Sequence, residues 1–323
     1  MLPGRGRIFP NSKAGRVPAI RMYERKIMLD QAYSRRQFLG LAGGFASIVG
    51  LGLVGCGGAG ASDAADKGSA AAAESVSGEV TYDGASSFQA LVEAAAEKFM
   101  DANPDVSVSG SGNGSGKGLT AVAAGTVTIG NSDVFAETKL EADQVKNLVD
   151  HEVAVVGMGP VVSKNVTVDD LSLEQLKGIF SGQITNWKEV GGDDGEIVLV
   201  GREAGSGTRD GFESIVDVKD SCKYAQELTA TGAVISAVEA NPLAIGYASL
   251  SAVGDTVAMV TVEGVECSED TVKDGSYKIQ RPFVFVTNKS VTLSEQAQAF
   301  VDFATSKDAA DLIRTAGAVP VNE

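Results

Sequence analysis

Short β-branched runs alternate with helical patterns from Glu79 onward, and this alternation constrains the fold more than any other feature of the chain. EVTYDG and VSVSG are typical of strands. Between them, apolar residues recur on one face of a helix that Asn103-Pro104 should end. Because strands and helices that alternate in this way form mostly parallel sheets, the pattern predicts an α/β fold with mixed sheets.

Predicted strands and helices also alternate in the second part of the chain. Residues 153–162 form a long apolar run, and Ser172 with Gln175 predicts a capping box that begins the next helix. Another apolar strand follows Arg281, and a last helical pattern over 297–316 should end at Gly317.

The 323 residues are too many for one ordinary core. We therefore predict two lobes that two crossing strands hinge together: lobe 1 from 79–156 and 283–323, and lobe 2 from 157–282.

The first 55 residues resemble a twin-arginine lipoprotein signal peptide. Ser34-Arg35-Arg36-Gln37-Phe38-Leu39 precedes a Gly-rich apolar stretch, and Leu53-Val54-Gly55-Cys56 closes it like a lipobox. A transmembrane helix is the alternative, but the glycines and the small residues before Cys56 favour a cleaved signal. Cys56 is then the lipidated first residue of the mature protein. Met22 and Met28 are alternative start sites, so the start of the signal is open.

Residues 56–78 are small and polar, which is typical of a flexible tether. Beyond the tether, Cys222 and Cys267 are an even pair in an oxidising compartment, where they can form a disulfide. Two buried free thiols are the equally open alternative.

The chain carries 27 Lys+Arg against 42 Asp+Glu, and the signal segment is itself basic, so the folded part is strongly acidic. Nucleic acid and anionic membrane surfaces are therefore excluded as partners, and any bound anion must be held by local geometry.

Three polar loops each lie between a predicted strand and a predicted helix: Gly84-Ala85-Ser86-Ser87, Gly112-Asn113-Gly114-Ser115-Gly116 and Gly205-Ser206-Gly207-Thr208. Helix N-termini present unpaired N–H groups, and hydroxyls add donors, so three converging loops can hold a tetrahedral anion. Any one loop alone is better explained as an ordinary cap or turn.

Nucleotide and catalytic motifs fail at the same loops. Ser111 and Gly118 break a Walker A pattern, Lys117 breaks G-x-G-x-x-G, and Ala204 breaks the G-x-S-x-G elbow. With one histidine in the chain, His151, neither a His/Cys metal site nor a Ser-His-Asp triad can be assembled. We therefore predict no enzyme activity, no catalytic residue, no metal and no cofactor.

Longer motifs resemble the phosphate-binding proteins of the periplasmic-binding superfamily. They are VGREAGSGTRDGF, FSGQITNWKEVGG, SGSGNGSGKG followed by IGNSD, and NPLAIGYASL. The resemblance covers positions 79–320 and implies a two-lobed, type II periplasmic-binding-protein-like fold.

The resemblance also implies which residues contact the anion. The first loop contributes hydroxyls and a backbone N–H, the second a hydroxyl, a Ser-Asp pair a carboxylate, and lobe 2 a guanidinium and a helix N-terminus. These ligands are Ser86, Ser87, the N–H of Phe88, Ser115, Asp133, Arg202, Ser206, Gly207 and Thr208.

A carboxylate in an anion site is informative because it only accepts hydrogen bonds, and phosphate near neutral pH still carries a proton while sulfate does not. Asp133 therefore disfavours sulfate. Two plainer readings remain: Asp133 caps the next helix, and Arg202 only pairs with Glu203. Arg209 is open between ligand and surface charge, whereas Trp187 is more typical of packing.

The resulting expectation is an extracytoplasmic, lipid-anchored monomer that captures inorganic phosphate and delivers it to the membrane subunits of an ABC importer. The alternatives are a binding protein for another oxyanion such as molybdate or sulfate, a phosphate-ester hydrolase, and a surface phosphate sensor.

Overall fold

A computed structural model describes residues 76–323 of the chain. The predicted signal peptide, Cys56 and most of the predicted tether lie outside these residues. The strands are β1 Gly78–Gly84, β2 Val106–Ser111, β3 Ile129–Ser132, β4 Leu148–Val162, β5 Asp170–Leu171, β6 Val198–Arg202, β7 Gln226–Leu228, β8 Ala244–Ser249, β9 Ala258–Met259, β10 Thr261–Val262, β11 Gln280–Asn288 and β12 Val319–Pro320.

The α-helices connect these strands, and short 3-10 turns accompany them. The helices are α1 Gln89–Ala102, α2 Ser115–Ala123, α3 Ala142–Val145, α4 Leu173–Phe180, α5 Gly207–Val216, α6 Thr231–Ala240, α7 Glu269–Lys273, α8 Glu295–Ala304 and α9 Ala310–Thr315. Among the residues that the model describes, no helix is long and apolar enough to cross a bilayer.

One mixed sheet runs through the fold in the order β2-β1-β3-β11-β4-β8-β6-β7. β1 is parallel to β2 and β3, and β6 is parallel to β7 and β8. Between these parallel ends, β11 and β4 are antiparallel. This arrangement confirms the predicted α/β fold with mixed sheets.

β4 is the long strand that joins the two ends of the sheet. Its first part pairs with β11, from Leu148 to Gly157, and its last part pairs with β8, from Met158 to Val162. β11 then brings the chain back. These two strands are the crossings that the alternating pattern predicted.

The hydrophobic core divides along the same line. Two clusters draw on the residues assigned to lobe 1, and two draw on those assigned to lobe 2, except that Val319 packs with the latter. Because the sheet is continuous through β4, the bounds of the lobes stay a prediction.

Local signals placed several elements correctly. α1 ends at Ala102 with Asn103 as its C-cap, and Ser172 and Gln175 form the capping box of α4. The single C-terminal helix that the apolar pattern predicted is wrong: α8 ends at Ala304, and Ser306 accepts from the Asp308 N–H to begin a 3-10 turn before α9. A serine that bonds to the backbone in this way competes with the helix.

Candidate anion-binding site

Three helices begin at the polar loops that the sequence singled out. α1 follows the Ser86-Ser87 loop, α2 begins at Ser115, and α5 begins at Gly207. The N-cap of α2 is Gly114, whose φ of 101° lies in the region that favours glycine. The first N–H groups of each helix lack partners within the helix and carry partial positive charge, so each start favours an anion.

Asp133 is the point where these loops meet. It follows β3 and is 1% exposed. Ser87 Oγ donates to its two carboxylate oxygens at 2.8 and 2.7 Å, and Thr208 Oγ1 donates to Oδ2 at 2.8 Å. Its own N–H donates to Ser115 Oγ at 3.2 Å. The N-cap of the 3-10 turn that follows is Phe135 rather than Asp133.

Arg281 is the functional candidate that the sequence argument missed. It lies near the start of β11, is 3% exposed, and its Nη1 forms an ion pair with Asp133 Oδ2. Burial lowers the pKa of the guanidinium, and Asp133 opposes that shift. Removing one partner of such a buried pair costs about 3–5 kcal/mol. A charge at the start of the otherwise apolar RPFVFV strand was the available signal.

Arg202 supplies a second buried guanidinium from lobe 2, and it is 1% exposed. It pairs with Glu203 through Nη2 at 3.1 Å, and Nη1 donates to Thr231 Oγ1 at 2.8 Å. Because Nη1 carries two N–H groups, the contacts among the described residues leave one of them for a ligand. Pairing with Glu203 therefore orients the Arg202 guanidinium and leaves one of its N–H groups available to a ligand.

The remaining predicted ligands lie around this centre. Ser206 is the N-cap of α5 and accepts from the Arg209 N–H at 3.3 Å. Ser86 Oγ accepts from the Thr231 N–H at 3.2 Å, which links the first loop to the residue that holds Arg202. The Phe88 N–H donates to the Ala85 carbonyl at 3.2 Å, so its role as an anion donor stays a prediction.

Gly207 lies at the start of α5, close to Ser115 and Asp133. A Cβ atom at this position would fall 2.8 Å from the Asp133 Cβ, and closer still to Ser115 Oγ. The absence of a side chain is therefore what lets the start of α5 approach both residues.

The two predicted lobes also touch beside the site. The Gly116 N–H donates to the Gly205 carbonyl at 3.1 Å. Lys139 Nζ donates to the Ala204 carbonyl at 2.9 Å and forms an ion pair with Asp210. These contacts join Gly116 and Lys139 to the third loop and to the start of α5.

Two residues that the sequence left outside the ligand set have structural roles. Arg209 pairs with Glu213 at 2.8 Å and Glu227 at 2.9 Å and stacks over the Tyr224 ring, so its charge is already neutralised. Trp187 is buried, and its Nε1 donates to the Leu243 carbonyl at 3.0 Å. The prediction of packing for Trp187 is confirmed.

Cys222 and Cys267 are free thiols, which is the second of the two alternatives that the sequence left open. Cys222 Sγ lies by the Val218 carbonyl, whereas Cys267 packs near Gly157 and Tyr277. Burial raises the pKa of each thiol to about 12. Both thiols stay protonated near neutral pH and are therefore poor partners for disulfide exchange.

The chemistry of this site is that of a selective anion receptor. Hydroxyls, helix N–H groups and two guanidinium groups surround one carboxylate, so the site offers many donors and one strong acceptor. Within residues 76–323, no cluster of three or more His, Cys, Asp or Glu side chains could hold a metal ion.

The family model for a PBP superfamily domain matches residues 69–308. The phosphate-binding protein PstS of Bacillus subtilis is 41% identical over 275 residues, which cover 83% of this chain and 89% of that protein.

Solved structures agree. A putative phosphate ABC transporter substrate-binding protein with bound phosphate from Clostridium perfringens is 36% identical, with a TM-score of 0.70 over 76% of this chain and 100% of that one. An ABC-type phosphate transport receptor from Vibrio cholerae is 30% identical, with a TM-score of 0.61 over 75% and 100%.

The sequence motifs, the order of the strands and these similarities agree with one another. The chain belongs to the PBP superfamily and, within it, to the same family as the PstS proteins.

Proposed function

We propose that the chain captures inorganic phosphate between lobe 1 (79–156 and 283–323) and lobe 2 (157–282) and delivers it to the membrane subunits of an ABC importer. One observation carries the proposal: the buried Asp133 carboxylate lies where donors from both lobes meet. The names of the Bacillus and Clostridium relatives support phosphate as the ligand and an ABC importer as the partner.

Each group has a role in this proposal. Arg202 donates its remaining N–H to the anion, while Ser87, Ser115 and Thr208 donate hydroxyls as the N-terminus of α5 favours the negative charge. Asp133 accepts a hydrogen bond from the proton that phosphate carries. Sulfate has no proton, so its oxygens would face the carboxylate lone pairs without a hydrogen bond. Ser86, Ser206, Gly207 and the Phe88 N–H complete the proposed set of ligand contacts.

The rival functions have less support. Sulfate and molybdate lack the proton that Asp133 would accept. A phosphate-ester hydrolase needs a nucleophile or general base beside the anion, and Asp133 is already engaged with Arg281. The relatives are named as binding and transport proteins, which supports capture of phosphate without turnover.

The sharpest test of the ligand assignment is Asp133→Asn. The amide can donate to sulfate, so we expect the ratio of phosphate affinity to sulfate affinity to fall by about 10-fold or more. Calorimetric titration with both anions measures this ratio. Asp210→Asn is the matched control, because Asp210 pairs with Lys139 across the cleft and has no proposed ligand contact. The control should lower the affinity for both anions by the same factor. An unchanged ratio of phosphate to sulfate affinity in Asp133→Asn would refute the role of Asp133.

We also propose that the mature chain is a monomer held at the outer face of the cell membrane by lipid on Cys56 alone. The lipobox-like tetrad that ends at Cys56 supports the anchor. Cys56→Ala should move the protein from the membrane fraction to the soluble extracytoplasmic fraction, and it should abolish incorporation of labelled fatty acid. Retention of the variant in the membrane fraction would contradict the anchor.

A further inference from the structure

Arg281 contacts the same Asp133 oxygen, Oδ2, to which Thr208 of α5 donates. Its Nη1 pairs with Asp133 and its Nη2 donates to Ser249 Oγ at the end of β8. The guanidinium also lies over the Phe283 ring, 5.4 Å from its centroid. Gly211 of α5 leaves room for it, since a Cβ there would come within 3.3 Å of Arg281 Cδ. Arg281 is therefore held on several sides.

The partners of Asp133 differ in what they can do when an anion enters. Ser87 and Thr208 hold it through hydroxyls, which can rotate and donate to a ligand instead. Arg281 cannot turn away by a simple rotation, because its planar guanidinium lies between Asp133 on Nη1 and Ser249 on Nη2, while Nε and Nη1 have no hydrogen-bond partner among the described residues. Once the hydroxyls turn to the ligand, Arg281 is the donor that stays on the carboxylate.

The charge of that donor matters for a buried carboxyl group. A buried carboxyl without a cation favours its neutral form, and a neutral carboxyl carries an O–H that can donate. A site with such a donor would accept sulfate. The charged groups that act on Arg281 are Asp133, which favours its charge, and Arg202, which opposes it.

We propose that Arg281 is the positioning residue that sets anion specificity: it holds Asp133 as an oriented carboxylate and thereby maintains the preference for phosphate over sulfate. This inference rests on the proposed function. The rival view is that Arg281 only adds positive charge to the cleft, in which case its loss would weaken both anions equally.

The test is calorimetric titration of the mature chain and four variants with phosphate and with sulfate. We expect Arg281→Gln to reduce the phosphate-to-sulfate affinity ratio by about 10-fold or more. Arg281→Lys, which keeps the charge, should restore most of the ratio. Arg314→Gln, on α9, should leave both affinities unchanged because Arg314 pairs with Glu269 and Asp311 at the surface.

Ser249→Ala covers the case in which Arg281→Gln does not fold. It removes one anchor of the guanidinium and keeps both charges, so the ratio should fall by about 3-fold. A second readout is pH. Sulfate is fully ionised between about pH 8 and about pH 6, so any rise of its affinity as pH falls reports a proton taken up by the protein. We expect that rise in Arg281→Gln and not in the unmodified chain.

The outcomes separate the two proposals. If the unmodified chain does not bind phosphate, the proposed function fails and this inference fails with it. If the unmodified chain prefers phosphate, but Arg281→Gln and Ser249→Ala keep the same ratio and show no pH dependence for sulfate, the function stands and the role of Arg281 is refuted.

Discussion

Gly207→Ala should reduce phosphate affinity by about 10- to 100-fold while leaving the protein folded. The new methyl group would lie 2.8 Å from the Asp133 Cβ and closer to Ser115 Oγ, so the start of α5 could not reach its place against lobe 1. Overpacking of this kind costs about 1–3 kcal/mol, which corresponds to that loss of affinity. Because the clash lies between the lobes, the open form of the protein should escape it.

Calorimetry measures the affinity, and small-angle scattering with and without phosphate measures closure. Gly205→Ala is the matched control: it lies in the same turn, and a Cβ there would meet nothing within 4 Å. The control should bind phosphate within about 2-fold of the unmodified chain. Normal affinity and normal closure in Gly207→Ala would show that the lobes do not close against this residue.

Arg202→Ala should weaken phosphate binding by about 30-fold or more. The change removes a buried guanidinium with an N–H left for the anion, and it leaves Glu203 without its cation. Truncating one member of a buried, hydrogen-bonded charge pair costs about 2–5 kcal/mol, much of it from the group left unpaired.

Arg202→Lys separates charge from geometry. Lysine keeps the positive charge but lacks the planar fork that reaches Thr231 and Glu203 together, so its affinity should fall between those of the unmodified chain and Arg202→Ala. Thermal unfolding of all three proteins checks that the fold is retained. If Arg202→Ala binds phosphate as tightly as the unmodified chain, then Arg202 only pairs with Glu203.

Much of the fold could be read from the sequence because its signals are local. The apolar face and the Asn103 stop of α1, the capping box of α4 and the apolar run in β4 each predict an element without reference to the rest of the chain. The break between α8 and α9 could not be predicted from apolar spacing, because it depends on a Ser306 side chain that bonds to the backbone.

The site, too, could be predicted only in part. A hydroxyl in a polar loop before a helix can be recognised from the local sequence as a candidate donor, as Ser87, Ser115 and Thr208 were. Arg281 follows Asp133 by well over a hundred positions and meets it only because β11 lies beside β3 in the sheet. The pairing of these distant strands cannot be predicted from the residues that flank Arg281 or Asp133.

The most direct measurement of the central claim is calorimetric titration of the mature, ligand-free chain with phosphate and then with sulfate. The hydrogen-bond donors arranged around the Asp133 carboxylate predict tight one-to-one binding of phosphate and little heat of binding with sulfate. No heat with phosphate, or equal binding of the two anions, would contradict a cleft in which the carboxylate accepts a hydrogen bond from the ligand.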